Sequence, residues 1–550
     1  MIRPWLRGLT PIAVALAAAC GTSDRDSADL VIYGPVWTGD STAPTATGLA
    51  VRGERIVAVG DSATIAALVG DSTTVIATTG LVAPGFADGH VHLFDGGLQL
   101  ASVDLRDAAT PAEFTRRIGD FAKTQPAGTW ITGGTWDHEN WGGELPTRAW
   151  IDSVTPDHPV FVQRLDGHMA LANSKALELA SVTRSIGEIA GGTIVRDGQG
   201  ELTGVFKDEA MTPVFAVIPA PSAVQADSAV AAAMRHANSK GLVAVSAVSA
   251  GVEIWATERL RAAGMQTLRT SFYPSLASWR WVADSMKRRV DDGWIRLAGV
   301  KGFVDGSLGS TTALFFDPYL DEPGSSGLFV TTEDSLRSWI ASADSASLQV
   351  VVHAIGDRAN ALLMDIFDSV SNIHGPRDRR FRIEHAQHLR QQEIQRMAAS
   401  GVLASMQPFH AADDGRWAAK RIREPQLRGT YAFRSVLDAG GALMFGSDWY
   451  VAPVDPLLGI WAAVARQTID GANPNGWFPE QRITVEEALT AYTRGNAFGT
   501  FAEADRGVLR PGMLADIVVL DRDLRTIAPD EIRNAQVQAT VVGGKVVYRP

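Results

Sequence analysis

Cysteine is almost missing from this sequence: Cys20 is the single one in 550 residues, so no disulfide can form within one chain. Basic charge is not in surplus either. Fifty Lys and Arg stand against 61 Asp and Glu, a formal net charge of −11 spread along the chain. No stretch resembles the basic footprint of a nucleic-acid binder, which argues against nucleic acid as a partner. The apolar run at residues 9–19 is too short for a comfortable membrane span. What is present is the composition of a soluble globular protein, 46% hydrophobic and 20% charged. The length exceeds one minimal domain and suffices for a barrel with additions.

The first twenty residues read as a targeting segment rather than as part of the fold. Arg3 and Arg7 supply positive charge, residues 9–19 an apolar core, and Ala17-Ala18-Ala19 lead into Cys20. Small residues directly before a lone cysteine resemble a bacterial lipoprotein signal. That resemblance implies lipidation of Cys20 and an exported protein of the cell envelope, in the outer membrane or periplasm, touching the membrane only through its anchor. The alternative is ordinary cleavage near Ala19. Residues 21–28 are polar and read as a tether.

Residues 29–80 carry short strand patterns separated by turn residues, and residues 506–550 repeat the style, ending in a hairpin that turns at Gly543-Gly544. Two β-rich ends around a different middle predict one small β-sandwich composed from both. From residue 81 to 505 strands alternate with helical patterns, which favours a parallel sheet or barrel. Eight strand candidates occur, at 81–90, 242–248, 267–273, 295–304, 349–354, 381–385, 402–408 and 443–448. Eight strand–helix units are the count of a (β/α)8 barrel, whose active site lies at the C-terminal ends of its strands. About 150 residues separate the first two candidates, far more than a loop needs. The excess predicts an inserted subdomain at about residues 95–225, folding over the barrel mouth.

The stretch that organises the chain is Leu81-Val82-Ala83-Pro84-Gly85-Phe86-Ala87-Asp88-Gly89-His90-Val91-His92. On a strand, His90 and His92 point to one face, where two imidazoles can share one divalent metal. Ligand-type residues recur at the other strand ends: Lys301 on the fourth, His353 on the fifth, His385 on the sixth and Asp448 on the eighth. A barrel converges side chains at those positions.

This arrangement resembles the amidohydrolase superfamily, and within it amidohydrolase family 3, which includes N-substituted formamide deformylases. The supporting runs are residues 81–92, Arg164-Leu165-Asp166-Gly167-His168 followed by 172–177, Lys301 to Thr312, His353-Ala354-Ile355-Gly356-Asp357, Ile383-Glu384-His385-Ala386-Gln387, Gly446-Ser447-Asp448 and Pro511 to Asp516. The likeness covers roughly residues 29–548. It implies an α/β fold, a distorted (β/α)8 TIM barrel with an inserted subdomain plus a small β-sandwich formed from both chain ends.

By the same resemblance His90, His92 and Asp448 bind one metal, His353 and His385 a second, and Lys301, carboxylated by carbon dioxide, bridges them. The metal would be zinc, one or two ions per chain, with carbon dioxide as carbamate only in the binuclear case. A lysine ammonium cannot bind a cation, but its carbamate is an anionic two-oxygen ligand. Metal-activated water would be the nucleophile, and Asp448 would take its proton and pass it to the leaving amine. With Lys301 left as a plain lysine, paired with Asp305 or Glu384, the site would hold a single metal. By position only, His168, Trp136, Asp305, Phe409, His410 and Trp449 are candidate substrate-binding residues, and the two tryptophans suggest an aromatic or apolar substituent.

The expected function is hydrolysis of a carbon–nitrogen bond, other than a peptide bond, in a small amide-like molecule. Rival readings are a hydrolase of cyclic amides, esters, carbamates or small peptides on the same site, and a non-catalytic envelope protein that binds a ligand or metal. The sequence leaves substrate, metal count and oligomeric state open, a homo-oligomer included.

Overall fold

The computed structural model describes residues 27–289 and 291–550. The expected leader with Cys20 lies outside the described residues.

Eight parallel strands dominate the middle of the chain: β1 (Phe86–Val91), β2 (Leu242–Val248), β3 (Arg269–Tyr273), β4 (Gly299–Phe303), β5 (Gln349–Ala354), β6 (Arg382–His385), β7 (Leu403–Met406) and β8 (Leu443–Phe445). They are covered by helices such as Ala223–Ser239, Glu333–Ser345 and Asp357–His374, whose apolar sides join the same hydrophobic core. Coverage on both faces explains runs such as Val350-Val351-Val352, which do not alternate. β1, β2, β3 and the short strand Ile295–Leu297 form one sheet, and β4 to β8 another. Backbone bonds cross both seams. On one side Ala298 N–H donates to Phe272 O (2.9 Å) and Lys301 N–H to Pro274 O (2.8 Å). On the other, Asp448 N–H donates to His90 O (2.7 Å) and His92 N–H to Trp449 O (2.6 Å).

The apolar run at 81–90 is not one strand. Val82–Pro84 belongs to the sheet built from the chain ends, pairing with Ile517–Leu520, and only Phe86–Val91 enters the β1–β3 sheet. The chain changes sheets at Gly85, where a Cβ would meet Val243 Cγ1 at 2.3 Å. The fourth candidate is likewise divided at Ala298 into Ile295–Leu297 and β4.

The chain ends do join. Leu30–Trp37, Thr45–Arg52, Arg55–Gly60, Thr74–Ala77, Val82–Pro84, Ile517–Leu520, Val537–Val542 and Lys545–Tyr548 make one continuous eight-stranded sheet. The terminal hairpin turns where expected: Gly543 and Gly544 have φ of 55° and 75°, the left-handed pair that a tight two-residue hairpin turn requires.

Between β1 and β2 lies a six-stranded sheet of its own, in the order Gly192–Arg196, Leu202–Asp208, Met169–Ala172, Val160–Arg164, Ile131–Trp136, Val103–Asp104. Its core residues, including Phe114, Trp136 and Val162, cluster separately from the main core. Ion pairs tie it to the segment after β7: Arg416 to Asp137, and Arg421 and Lys420 to Glu139. Arg106 reaches back to donate to the carbonyls of Tyr450 (2.5 Å) and Val451 (2.8 Å), beyond β8. Among the described residues no helix is long and apolar enough to cross a membrane.

Candidate metal centre

The strand ends bring the sequence-picked residues together. His90 Nε2 and His92 Nε2 lie 3.3 and 3.2 Å from the same oxygen, Asp448 Oδ1. Lys301 Nζ is 3.4 Å from His90 Nε2. The ring of His385 is 4.9 Å from that of His90 and 4.5 Å from that of His353. Among the described residues two groups have ligand atoms close enough for an ion: His90, His92 and Asp448, and His385, His410 and Asp448.

Local structure holds each ligand. Asp88 Oδ1 accepts from the backbone N–H groups of His90 (3.0 Å) and Ser447 (2.9 Å), so one carboxylate fastens the end of β1 to the turn after β8. Ser447 Oγ then accepts from Trp449 N–H (3.0 Å). Asp448 and His385 sit at φ of 60° and 71°, a left-handed backbone that disfavours non-glycine residues by roughly 1–3 kcal/mol. Such strain persists only where surrounding bonds enforce it, and both positions carry ligand side chains.

Glu384, which the sequence offers only as a partner for Lys301, fixes His90. Its Oε2 lies 2.5 Å from His90 Nδ1 and accepts from Ser405 Oγ (2.8 Å). Its Oε1 takes two bonds from Arg382. With Nδ1 bound to a carboxylate, His90 presents Nε2 to the site, the arrangement that second-layer carboxylates impose on metal-binding histidines. The only available signal was Arg-Ile-Glu-His itself, in which Arg382 and Glu384 share a face of β6.

The electrostatics suit metal binding. Burial, with His168 and Lys301 adding to it for His353, and His353 for His385, holds both imidazoles far below the usual histidine range, in the neutral form that binds metals. Burial also pulls Lys301 down to about 8, against the opposing charges of Glu384 and Asp448. Burial would raise Asp448, but His90, His92 and His385 outweigh it and keep the carboxylate ionised. His385 Nδ1 and His410 Nε2 are buried atoms without a hydrogen-bond partner, and Asp448 Oδ1 is met only by the imidazoles of His90 and His92. Unpaired buried polar atoms are costly, so two of them gathered with the Asp448 carboxylate fit a divalent ion.

The other expected residues divide. His410 is in the site. His353 is close, its ring 4.5 Å from that of His385, but its Nε2 donates to Gly306 O (3.0 Å), and the ligand atoms that lie together are those of His385, His410 and Asp448. Asp305 is fully buried and accepts from Leu314, Ile355 and Gly356 N–H; it ties the loop after β4 to the end of β5 and does not line the cleft. Trp136 is a correction: it is 0% exposed inside the insertion's own core, bonded to Val162 O. Trp449 is another, packed against Gly96 and the His236 ring. Phe409 is half-buried and outside the cleft lining.

The cleft, of about 480 Å³, is therefore not aromatic in the expected way. Its walls include Arg164, Asp166, His168, Ser307, Gln387, His410, Asp413, Asp414 and Trp417 beside Asp448. Arg164 is wholly buried and bonds Asp137 (2.7 Å), Asp166 (2.6 Å) and His138 Nδ1 (3.2 Å). A second cavity, of about 500 Å³ and lined by Ser246, Ser271, Asn496 and Arg506 among others, contains none of the imidazoles.

Parallel strands whose C-terminal ends gather histidines round one aspartate define a metal-site α/β protein of the hydrolase kind. The chain belongs to the amidohydrolase family, whose model matches residues 74–548. It is 39% identical over 535 residues to the protein LONG AFTER FAR-RED 3 of Arabidopsis thaliana, covering 94% of this chain and 91% of that one. It is 27% identical over 545 residues to an N-substituted formamide deformylase of Arthrobacter pascens, covering 94% and 98%. Among solved structures, an uncharacterized metal-dependent hydrolase from Pyrococcus horikoshii superposes with a TM-score of 0.74 at 28% identity, over 91% of this chain and 99% of that one.

Proposed function

We propose that this protein is a metal-dependent hydrolase that cleaves a carbon–nitrogen bond of a small amide-like molecule. One observation carries the reading: Asp448 Oδ1 is shared by His90 and His92, while unpaired ligand atoms of His385 and His410 face the same carboxylate. The deformylase relative supports the bond type, and the archaeal neighbour supports the metal. The scaffold in this reading is a closed, distorted (β/α)8 barrel at 81–505, with the insertion at about 95–225 over its mouth and a sandwich-like unit from 29–80 and 506–550.

His90, His92 and Asp448 would hold one ion, and His385 with His410 or His353 a second. Zinc suits this donor set, and bound there it supplies a Lewis acid and a water of lowered pKa. The protein's own groups do the rest. Lys301, an amine that sheds its proton easily, would take up carbon dioxide as a carbamate, an anionic ligand for the ions. Glu384 orients His90. Asp448, held ionised, would receive a proton from water on the carboxylate oxygen turned away from His90 and His92 and return it to the departing nitrogen. The insertion and the segment after β7 wall the cleft and limit water.

The test is metal analysis and native mass of the zinc-loaded protein beside Asp448→Asn, with a screen of N-formyl and N-acyl amines. About two ions and a mass excess of one carbon dioxide support the bridged site. Asp448→Asn should keep the fold and lose about 10²–10⁴-fold in turnover. A wild type that takes up no metal rejects the reading.

A further inference from the structure

The second cavity, of about 500 Å³, lies toward the N-terminal ends of β1, β2 and β3, away from the histidines. Those strands form one side of it, and the chain around residues 493–508, with Leu514 and Asp516, forms the other. Much of the lining is apolar, including Val243, Val245, Ala497, Val508 and Leu514. Three polar groups on its walls have no protein partner. Ser246 and Ser271 are direct partners in the β2–β3 register, so they share a face. They are 2% and 6% exposed, and neither hydroxyl makes a hydrogen bond among the described residues. Arg506, half-buried on the other side, makes no hydrogen bond and no ion pair through its guanidinium among the described residues.

The carboxylates in the same walls are already committed. Asp516 takes two bonds from Arg269 and one from Gly543 N–H (2.9 Å). Asp88 accepts from His90 N–H, and through both oxygens from Ser447 N–H. Burial pulls the Arg506 guanidinium below its usual range against the charge of Asp516, and Arg269 and Arg296 push the same way as burial. An unpaired cation facing two free hydroxyls fits an anion. The walls narrow the choice. A guanidinium grips a planar carboxylate through two parallel N–H···O bonds, and serine hydroxyls can donate to the same oxygens. Phosphate would leave further oxygens against Val243 and Leu514 without partners, whereas a short alkyl end suits that surface.

We propose that this cavity is a binding site for a small organic carboxylate, of the size of propionate. Arg506, Ser246 and Ser271 hold the carboxylate head, and the valines and Leu514 cover the alkyl end. The site is separate from the metal cleft, and its occupancy does not depend on the hydrolase reading. A ligand there touches β1 to β3 and the chain leading into the terminal sheet at once, so it stabilises the folded protein by mass action.

The experiment is thermal melting of the zinc-loaded protein as sodium propionate replaces sodium chloride at constant ionic strength. The midpoint should rise with propionate, and its concentration dependence gives an apparent Kd. Arg506→Met keeps an alkyl chain without the charge and should raise that Kd by about 10- to 100-fold, the scale of hydrogen bonds to a charged group. Ser246→Ala combined with Ser271→Ala should raise it by about 3- to 10-fold and tests the site if Arg506→Met does not fold. A wild-type midpoint that does not move as propionate replaces chloride overturns the proposal, leaving at most a site for any small anion. The same Kd in wild type and variants also overturns it, because propionate is then held elsewhere, as on the zinc.

Discussion

Single buried charges in this protein are tied to several partners each, so their loss is felt beyond one contact. Glu384 joins Arg382, Ser405 and His90 with no exposure to solvent. Replacing it by alanine leaves the Arg382 guanidinium buried without its carboxylate, at a cost of about 3–5 kcal/mol. Glu384→Gln keeps the shape and should lower zinc affinity by about 10- to 100-fold, because His90 Nδ1 loses its anionic partner. Competition with a zinc chelator reads this directly; unchanged affinity would mean that Glu384 only packs.

Glu253, in the first turn of the helix Val252–Ala262, shows the opposite case, a carboxyl with no cation. Burial, with Asp95 adding to it, pushes it up to about 7, while Gly251 N–H donates to it (2.8 Å). Folding therefore takes up a proton between about pH 4.5 and 7. Below that window both states are protonated; as pH rises through it, the folded state loses stability, by up to about 3 kcal/mol, and then levels off. Glu253→Gln removes that decline. Thermal melts across pH 4 to 8 should show the variant and wild type together at the acid end and diverging upward.

These residues also show what could be read in advance. His90, His92, Lys301, His353, His385 and Asp448 were legible because a parallel strand presents its last residues at one end, and the strands themselves announce their ends. Glu384 on His90 spans 294 positions, and nothing local marks such a pairing. The burial of Trp136 was equally hidden, since it depends on Phe114 and Val162 folding round it.

At the scale of elements, the insertion and the segment after β7 are held together by charges. Arg164 backs this contact from within the insertion, bonding Asp137, which Arg416 also reaches. It cannot be replaced by lysine without loss, because one ammonium cannot span Asp137, Asp166 and His138 together. A sharper probe is Gly309, whose added Cβ would lie 2.2 Å from Arg164 Nη1, so the guanidinium could yield only by giving up bonds to Asp137, Asp166 or His138. Gly309→Ala should loosen the insertion while leaving the terminal sheet intact. Limited proteolysis should then cut first within residues 95–225, and turnover should fall without loss of zinc. Uniform digestion would show instead that the insertion is not separately held. Sequence made the insertion visible by its length alone. Its attachment was invisible, because Asp137, Glu139, Arg416 and Arg421 read individually as ordinary solvated charges.

For the molecule as a whole, the question is whether the terminal sheet is an appendage or part of one cooperative unit. The contacts argue for one unit. Val518, Leu520 and Val537 belong to the same hydrophobic cluster as β1 and β2 residues. Gly85 N–H donates to Asp516 O (2.9 Å), and Thr540 Oγ1 to Asn238 O (2.7 Å). Asp516 also takes the guanidinium of Arg269 on β3 through two bonds, at 2.8 and 3.2 Å, with both side chains nearly wholly buried. Asp516→Ala strands Arg269 and should cost about 3–5 kcal/mol. If sheet and strands unfold together, calorimetry shows one transition in both proteins, shifted down in the variant. If the sheet is an appendage, the variant shows two, with the metal-site transition where wild type has it. The continuity of the run at 81–90, which feeds both sheets through Gly85, favours the single transition, since Val82–Pro84 cannot leave one sheet without pulling β1 and its histidines from the other.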